Sequence, residues 1–262
     1  HSMFHSLKVL WDHRKMLWAT TLADIQSRYA GSVLGMFWLV IYPILMLTAY
    51  SVVYVFFFQV QLEQITTPQY VMLIFSGLIP FLGFSEGLGN SVISVTSNAS
   101  LVKNTLYPIE LIPVKAVLFS QCTEVVGLIL LTVAVTGLLS PWLLLALPLW
   151  SFQVIFGIGV GWLISSINVV LRDMQSLINI ISLMLMMISP IAYTPDMIPA
   201  GLRPFLRLNP LYYFITAYQH CFIYGEMPPR DILVAVVLIS LGTFLVGFWV
   251  FEKMKQLFDD NI

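Results

Sequence analysis

The chain has 262 residues, of which 59% are hydrophobic and 10% charged, with a formal net charge of −1. A soluble domain carries about 25% charged residues, so this composition excludes an ordinary water-facing globule and places the chain in lipid. The balanced charge offers no basic face for nucleic acid. The only two cysteines, Cys122 and Cys221, sit in apolar surroundings and make no disulfide framework. No cleavable signal sequence is expected, because the first apolar stretch begins late and is long.

Residues 4–30 read as an amphipathic helix. Leu7, Trp11, Trp18, Leu22, Ile25 and Tyr29 share one broad face, while Lys8, Asp12, Lys15 and Asp24 fall mostly opposite. Such a helix lies in the membrane interface, anchored by its two tryptophans; a packed cytoplasmic helix is the alternative. The run Ser27–Trp38 is the hinge, and Gly35 to Phe58 then gives 24 residues without a charge. A crossing helix needs about 20 apolar residues. Six segments qualify: 35–58, 70–91, 116–139, 142–170, 174–193 and 232–251. From Val125 to Leu171 there are 47 residues without a charge, too many for one crossing, and Ser140-Pro141 divides them into a tight hairpin.

Six crossings put both termini on one side, together with nine of the twelve lysines and arginines. The excess of positive charge predicts that this side is cytoplasmic. The segment 94–110 is then a cytoplasmic loop, in which Leu101, Val102 and Leu106 offer an apolar docking surface or pack on the adjacent spans. The segment 194–229 holds six prolines between apolar pieces too short to cross, which suits short helices dipping into the outer leaflet. No soluble stretch exceeds about 40 residues, below domain size, so 1–262 reads as a single transmembrane domain. The expected fold is all-α and integral to the membrane.

No glycine precedes a lysine, so there is no P-loop for nucleotide phosphates. The four histidines do not cluster at metal-ligand spacing, and no Gly-x-Ser-x-Gly elbow occurs. Neither a catalytic residue nor a metal site is expected. Glu86 and Glu124 lie within spans. Each is a candidate coupling or proton-relay carboxylate, or a residue near the cytoplasmic end of its span, paired or wetted. Trp38, Tyr42, Met46, Tyr50, Tyr54 and Phe58 recur at steps of four and form a ridge. Mid-membrane tyrosine hydroxyls need partners, so the ridge faces either a wet pathway suited to sugar rings or a neighbouring helix.

Five stretches, in this order, carry a family resemblance. They are Arg28-Tyr29-Ala30-Gly31-Ser32-Val33-Leu34-Gly35 with Trp38 and Pro43; Gly77-Leu78-Ile79-Pro80-Phe81; Asn98, Leu101, Lys103 and Pro108; Asn168-Val169-Val170-Leu171-Arg172-Asp173; and Pro190-Ile191-Ala192-Tyr193 with Asn209-Pro210. Across nearly its whole length the chain resembles the membrane subunits of ABC transporters that export polysaccharides, closest to the O-antigen type and related to capsule and teichoic-acid exporters.

The resemblance implies a homodimeric channel in the bacterial inner membrane, driven by two copies of a separate cytoplasmic ATPase that holds ATP and Mg, with no cofactor on this chain. The substrate implied is a polysaccharide linked to undecaprenyl diphosphate. Trp38, Tyr42, Tyr50, Tyr54 and Phe58 would line the channel, and Arg28 and Tyr29 would meet the lipid diphosphate, although Arg28 is equally a snorkelling anchor. Asn98, Leu101, Val102, Lys103, Leu106 and Tyr107 would form the coupling helix. Tyr193, Asn209, Pro210, Tyr212 and Tyr213 would belong to the external gate. The alternatives are an ABC exporter of drugs or lipids with the same fold, or an ion-coupled carrier or channel.

Overall fold

The computed structural model describes residues 8–63, 65–103, 107–135 and 140–258, with only the backbone at 101 and 102. Among these residues every regular element is helical. Helix α1 (Arg14–Tyr29) ends at a turn in which Gly31 takes φ +81° and Gly35 φ +48°, left-handed values open to glycine. The first apolar helix follows as one 23-residue piece, Gly35–Phe57. It comprises a 3-10 turn, α2 (Trp38–Ser51) and a π-helical stretch, Val52–Phe57.

Helix α3 (Thr67–Val92) starts where Gln69 Oε1 accepts the Thr66 N–H at 2.9 Å. Pro68 in its first turn removes no helical hydrogen bond. Two single turns, α4 (Ser94–Ser97) and α5 (Ala99–Val102), follow. Helix α6 (Leu111–Ala134) leads, through a 3-10 turn at Pro141–Leu145, to α7 (Ala146–Val170). Then come α8 (Met174–Ile188), α9 (Arg203–Leu206), α10 (Pro210–Gln219) with a π extension His220–Tyr224, and α11 (Arg230–Met254).

Among the described residues, five helices are long and apolar enough to cross a membrane. The segment expected to cross at 174–193 differs. Its helix, α8, has 15 residues and spans about 22 Å at 1.5 Å per residue, short of a hydrocarbon core of about 30 Å. It stops because Pro190 disfavours helical geometry at the preceding residue, and Ser189 is extended at φ −72°, ψ 140°. Helix α6 starts five residues earlier than the expected 116, because Pro113 is tolerated in a first turn and Lys115 has an acidic partner. Residues 136–139 of that span, and 4–7 of the surface helix, lie outside the described residues.

Antiparallel runs sort the connections into two ends. At one end Lys255, just after α11, pairs with Glu110, just before α6; α1 and residues 93–103, 107–110 and 171–173 lie there too. At the other end Ser140 Oγ donates to the Gly225 carbonyl at 3.2 Å, among residues 59–63, 65–66, 140–145 and 189–229. Helix α3 is the pillar. In its most apolar stretch 78% of residues are buried, against 6% for the first apolar helix, and α2, α6, α7, α8 and α10 all pack on it.

Helices α7 and α11 cross at glycines. A Cβ on Gly247 would collide with the Gly159 carbonyl, and one on Gly159 would come within 2.6 Å of the Thr243 carbonyl. Gly247→Ala should therefore force the helices apart and destabilise the chain by about 1–3 kcal/mol. Thermal unfolding of the purified protein in detergent checks this, and an unchanged midpoint would contradict so close a crossing.

Candidate functional site

The site begins with one charge where the first helix gives way to the first apolar helix. Arg28 lies in the last turn of α1, directly before the glycine turn that leads into the apolar helix. Its guanidinium forms an ion pair with Glu86 of α3. It also lies over two rings, 4.8 Å from the centroid of Phe119 and 5.7 Å from that of Tyr29, within range of cation–π attraction. Partial burial works against the Arg28 charge, but the hydrogen bond and charge of Glu86 outweigh it and hold the guanidinium pKa above its ordinary value. Burial raises the Tyr29 hydroxyl, with Arg28 pulling the other way. The second oxygen of Glu86 accepts the Thr123 hydroxyl at 2.7 Å.

This ion pair forms one wall of a cleft of about 830 Å³ between the end of α1, α2, α3 and α8. Trp38, Tyr42 and Met46 of α2 supply an aromatic and sulfur face, and Phe81 and Leu82 of α3 continue it. Ser32, Ser85, Asn179 and Ser182 add neutral polar groups. Trp38 and Tyr42 are about 40% exposed, so their rings remain free to meet a ligand. The arrangement can hold a compact anion at the boundary beside an aromatic track.

Residues 15–223 match the ABC-2 type transporter family. The chain belongs to that family. It is 30% identical over 264 residues to an O-antigen export system permease protein RfbA of Klebsiella pneumoniae, covering 98% of this chain and 97% of the relative. The RfbA of Myxococcus xanthus is 25% identical over 265 residues, covering 99% and 100%. The polysialic acid transport protein KpsM of Escherichia coli is 24% identical over 243 residues, covering 91% and 93%. This ABC-2 chain is a multi-pass protein of the bacterial inner membrane.

The ridge expected from sequence divides in this ABC-2 chain. Trp38 and Tyr42 meet Arg28 and Tyr29 in the cleft. Tyr50 and Tyr54 instead stack on each other, with centroids 5.9 Å apart and planes at 13°, and lie partly buried against the core. Phe58 closes that column 5.8 Å from Tyr54.

Among the residues expected to couple to an ATPase, Asn98 ends α4 and donates to the Ser94 carbonyl at 2.8 Å. Lys103 is exposed. Tyr107 is buried in the core, its hydroxyl 3.5 Å from Thr20 Oγ1 of α1, so it ties the loop to the surface helix. Leu101 and Val102 lie on α5, and Leu106 lies outside the described residues. At the far end Asn209 caps α10, accepting the Leu211 N–H at 3.0 Å and donating to Ser189 Oγ at 2.9 Å, with Pro210 in the first turn. Tyr213 donates to the Arg207 carbonyl at 3.0 Å and meets Tyr212 edge-on. Tyr193 donates to the Ile188 carbonyl.

Glu124 does not sit at a wetted end of its span. It lies midway along α6 and is fully buried. Gln153 Nε2 donates to it at 2.9 Å and also to the Pro80 carbonyl at 2.9 Å. The carboxylate fills the space left by Gly83, where a Cβ would collide with it. Sequence reasoning missed Gln153, the Lys115–Asp24 pair at 2.9 Å and the Glu110–Lys255 pair. Only the oddity of a glutamine in a charge-free run marked the first; nothing local marked the pairs.

Burial works to raise the pKa of Glu110, but hydrogen bonds from Lys255 and the backbone prevail and hold it below its ordinary value of 4.5. A lowered folded value means that the charged form is favoured by the fold. The contribution is present above about pH 4.5 and lost as pH falls through the lowered value. Acid titration of stability should therefore show a loss below about pH 4.5 that Glu110→Gln reduces. A variant with the wild-type acid profile would contradict the assignment.

Proposed function

We propose that this chain is the channel-forming subunit of an ATP-driven exporter that moves lipid-linked, O-antigen-like polysaccharide across the inner membrane. The observation that carries the reading is the cleft in which Arg28 stands beside the Trp38–Tyr42 face. A phosphate-bearing head group meets a guanidinium at the boundary, and the first sugar rings meet flat aromatic faces. The names of the RfbA relatives and of KpsM support polysaccharide as the cargo.

In this reading two copies assemble, as in the exporters the chain resembles. The first apolar helix and α8 bury little against their own chain, and the faces they leave open, such as Leu177, Ile181, Met184 and Ile188 of α8, are available to lipid or to van der Waals packing with a second copy. The chain crosses six times, with α8 and residues 189–193 making the short crossing, and both termini lie in the cytoplasm with most of the lysines and arginines. Two ATPase copies carrying ATP and Mg seat on 94–110. Their motion reaches α1 through Tyr107 and Thr20. Residues 189–229 gate the outer exit, with Tyr193, Asn209, Pro210, Tyr212 and Tyr213 bracing it.

The buried Glu124 is the one observation that favours an ion-coupled carrier. Glu124→Gln decides: export retained at near wild-type level excludes that reading, and abolished export with normal membrane insertion supports it. For the exporter, Tyr42→Ala should lower surface polysaccharide roughly tenfold, the effect of about 1.4 kcal/mol, at unchanged membrane abundance. Alanine at Tyr50 and Tyr54 should lower abundance instead. Lys103→Glu should leave insertion intact and uncouple ATP hydrolysis from export. Quantitative immunoblots of cell-surface polymer and of the chain itself check all three, with ATPase assays of the reconstituted complex.

A further inference from the structure

Glu86 is placed in a way that a simple anchor does not require. Its two carboxylate oxygens have separate partners, Arg28 on one and the Thr123 hydroxyl on the other at 2.7 Å. Both partners border the cleft. If Arg28 lets go, the carboxylate keeps the Thr123 hydrogen bond and the open cleft beside it, so no bare charge is stranded in a dry interior. Arg28 in turn does not rely on Glu86 for its position, since the rings of Phe119 and Tyr29 flank its guanidinium. Nor does the surface helix rely on this pair alone: Lys115 and Asp24 hold α1 to α6 independently.

Resting on the reading of this cleft as the entry for a lipid-linked diphosphate, we propose that Glu86 is a built-in competitor for Arg28. It occupies the guanidinium until a diphosphate displaces it. A carboxylate carries one negative charge and a diphosphate more than one, while the fork of guanidinium donors accepts either in bidentate fashion. A diphosphate can therefore displace the carboxylate, whereas a ligand with a single charge, such as the phosphodiester head groups of bulk lipid, offers Arg28 no more than Glu86 already does. Glu86 thus sets the threshold a ligand must exceed to hold Arg28, and its removal should strengthen the binding of every anionic ligand by the same factor.

The test uses the full chain in phosphatidylcholine nanodiscs, with geranyl diphosphate and geranyl monophosphate as probes and calorimetry as the readout. Glu86→Gln should bind the diphosphate roughly tenfold more tightly, the effect of about 1.4 kcal/mol, and the monophosphate should gain by a similar factor, because the cost of releasing Glu86 is the same for both. Arg28→Gln should weaken diphosphate binding by a similar factor, and the double variant should bind no better than Arg28→Gln alone. Glu86→Asp keeps the charge and draws it back by one methylene. It should gain less, with the same sign, and it is decisive if Glu86→Gln fails to insert. Loss of binding in Arg28→Gln without any gain in the Glu86 variants overturns the exchange and leaves the entry reading standing. Wild-type binding by Arg28→Gln overturns both.

Discussion

Lipid offers neither a hydrogen-bond partner nor a counter-charge, and the organisation of this chain follows from that. Backbone groups are satisfied within helices, and charges gather at the helix ends. There they pair across elements: Arg28 with Glu86, Asp24 with Lys115, Glu110 with Lys255. All three pairs lie at the same end of the bundle. They dock the surface helix and the end of α11 onto α3 and α6, and one of them forms the wall of the cleft. Glu124 stands apart, and the structure accommodates it by burying it against Gly83 and giving it the Gln153 amide.

The packing is lopsided. Helix α3 is enclosed on nearly all sides, whereas the first apolar helix buries only Pro43 within α2, and α8 buries only Ile178. The cleft lies between these under-packed helices and the pillar. Its aromatic face is therefore half-exposed, and Trp38 and Tyr42 have room that Tyr50 and Tyr54 lack. Such a margin leaves the cleft room to adjust, since a well-packed core resists rearrangement. The Tyr107–Thr20 contact ties the residues just before α6 to the helix that carries Arg28.

Much of this was legible in the order of residues. Charge-free runs located the helices, Ser140-Pro141 divided the longest of them, and the hinge at Arg28–Trp38 placed a cation directly before an aromatic ridge. The ridge itself was less legible. Steps of four put six residues along one side of a helix, but whether a ring meets a cleft or a neighbour depends on what stands opposite. The cleft takes the first half, and the stack with Phe58 takes the second. The length of α8 was likewise overread: hydropathy continues to Tyr193, yet the backbone leaves the helix at Ser189 because of the proline that follows.

Composition, periodicity and proline placement thus determined by themselves that the chain is a helical membrane protein whose charged first helix precedes a charge-free one, since these are properties of local segments in a given solvent. Tertiary structure alone decided the partners. Glu86 meets Arg28 across 58 positions and Glu110 meets Lys255 across 145, and no local signal encodes such distances. The reason is physical: a charge near lipid is strongly driven to find a counter-charge, but which one it finds is set by how the helices pack around α3.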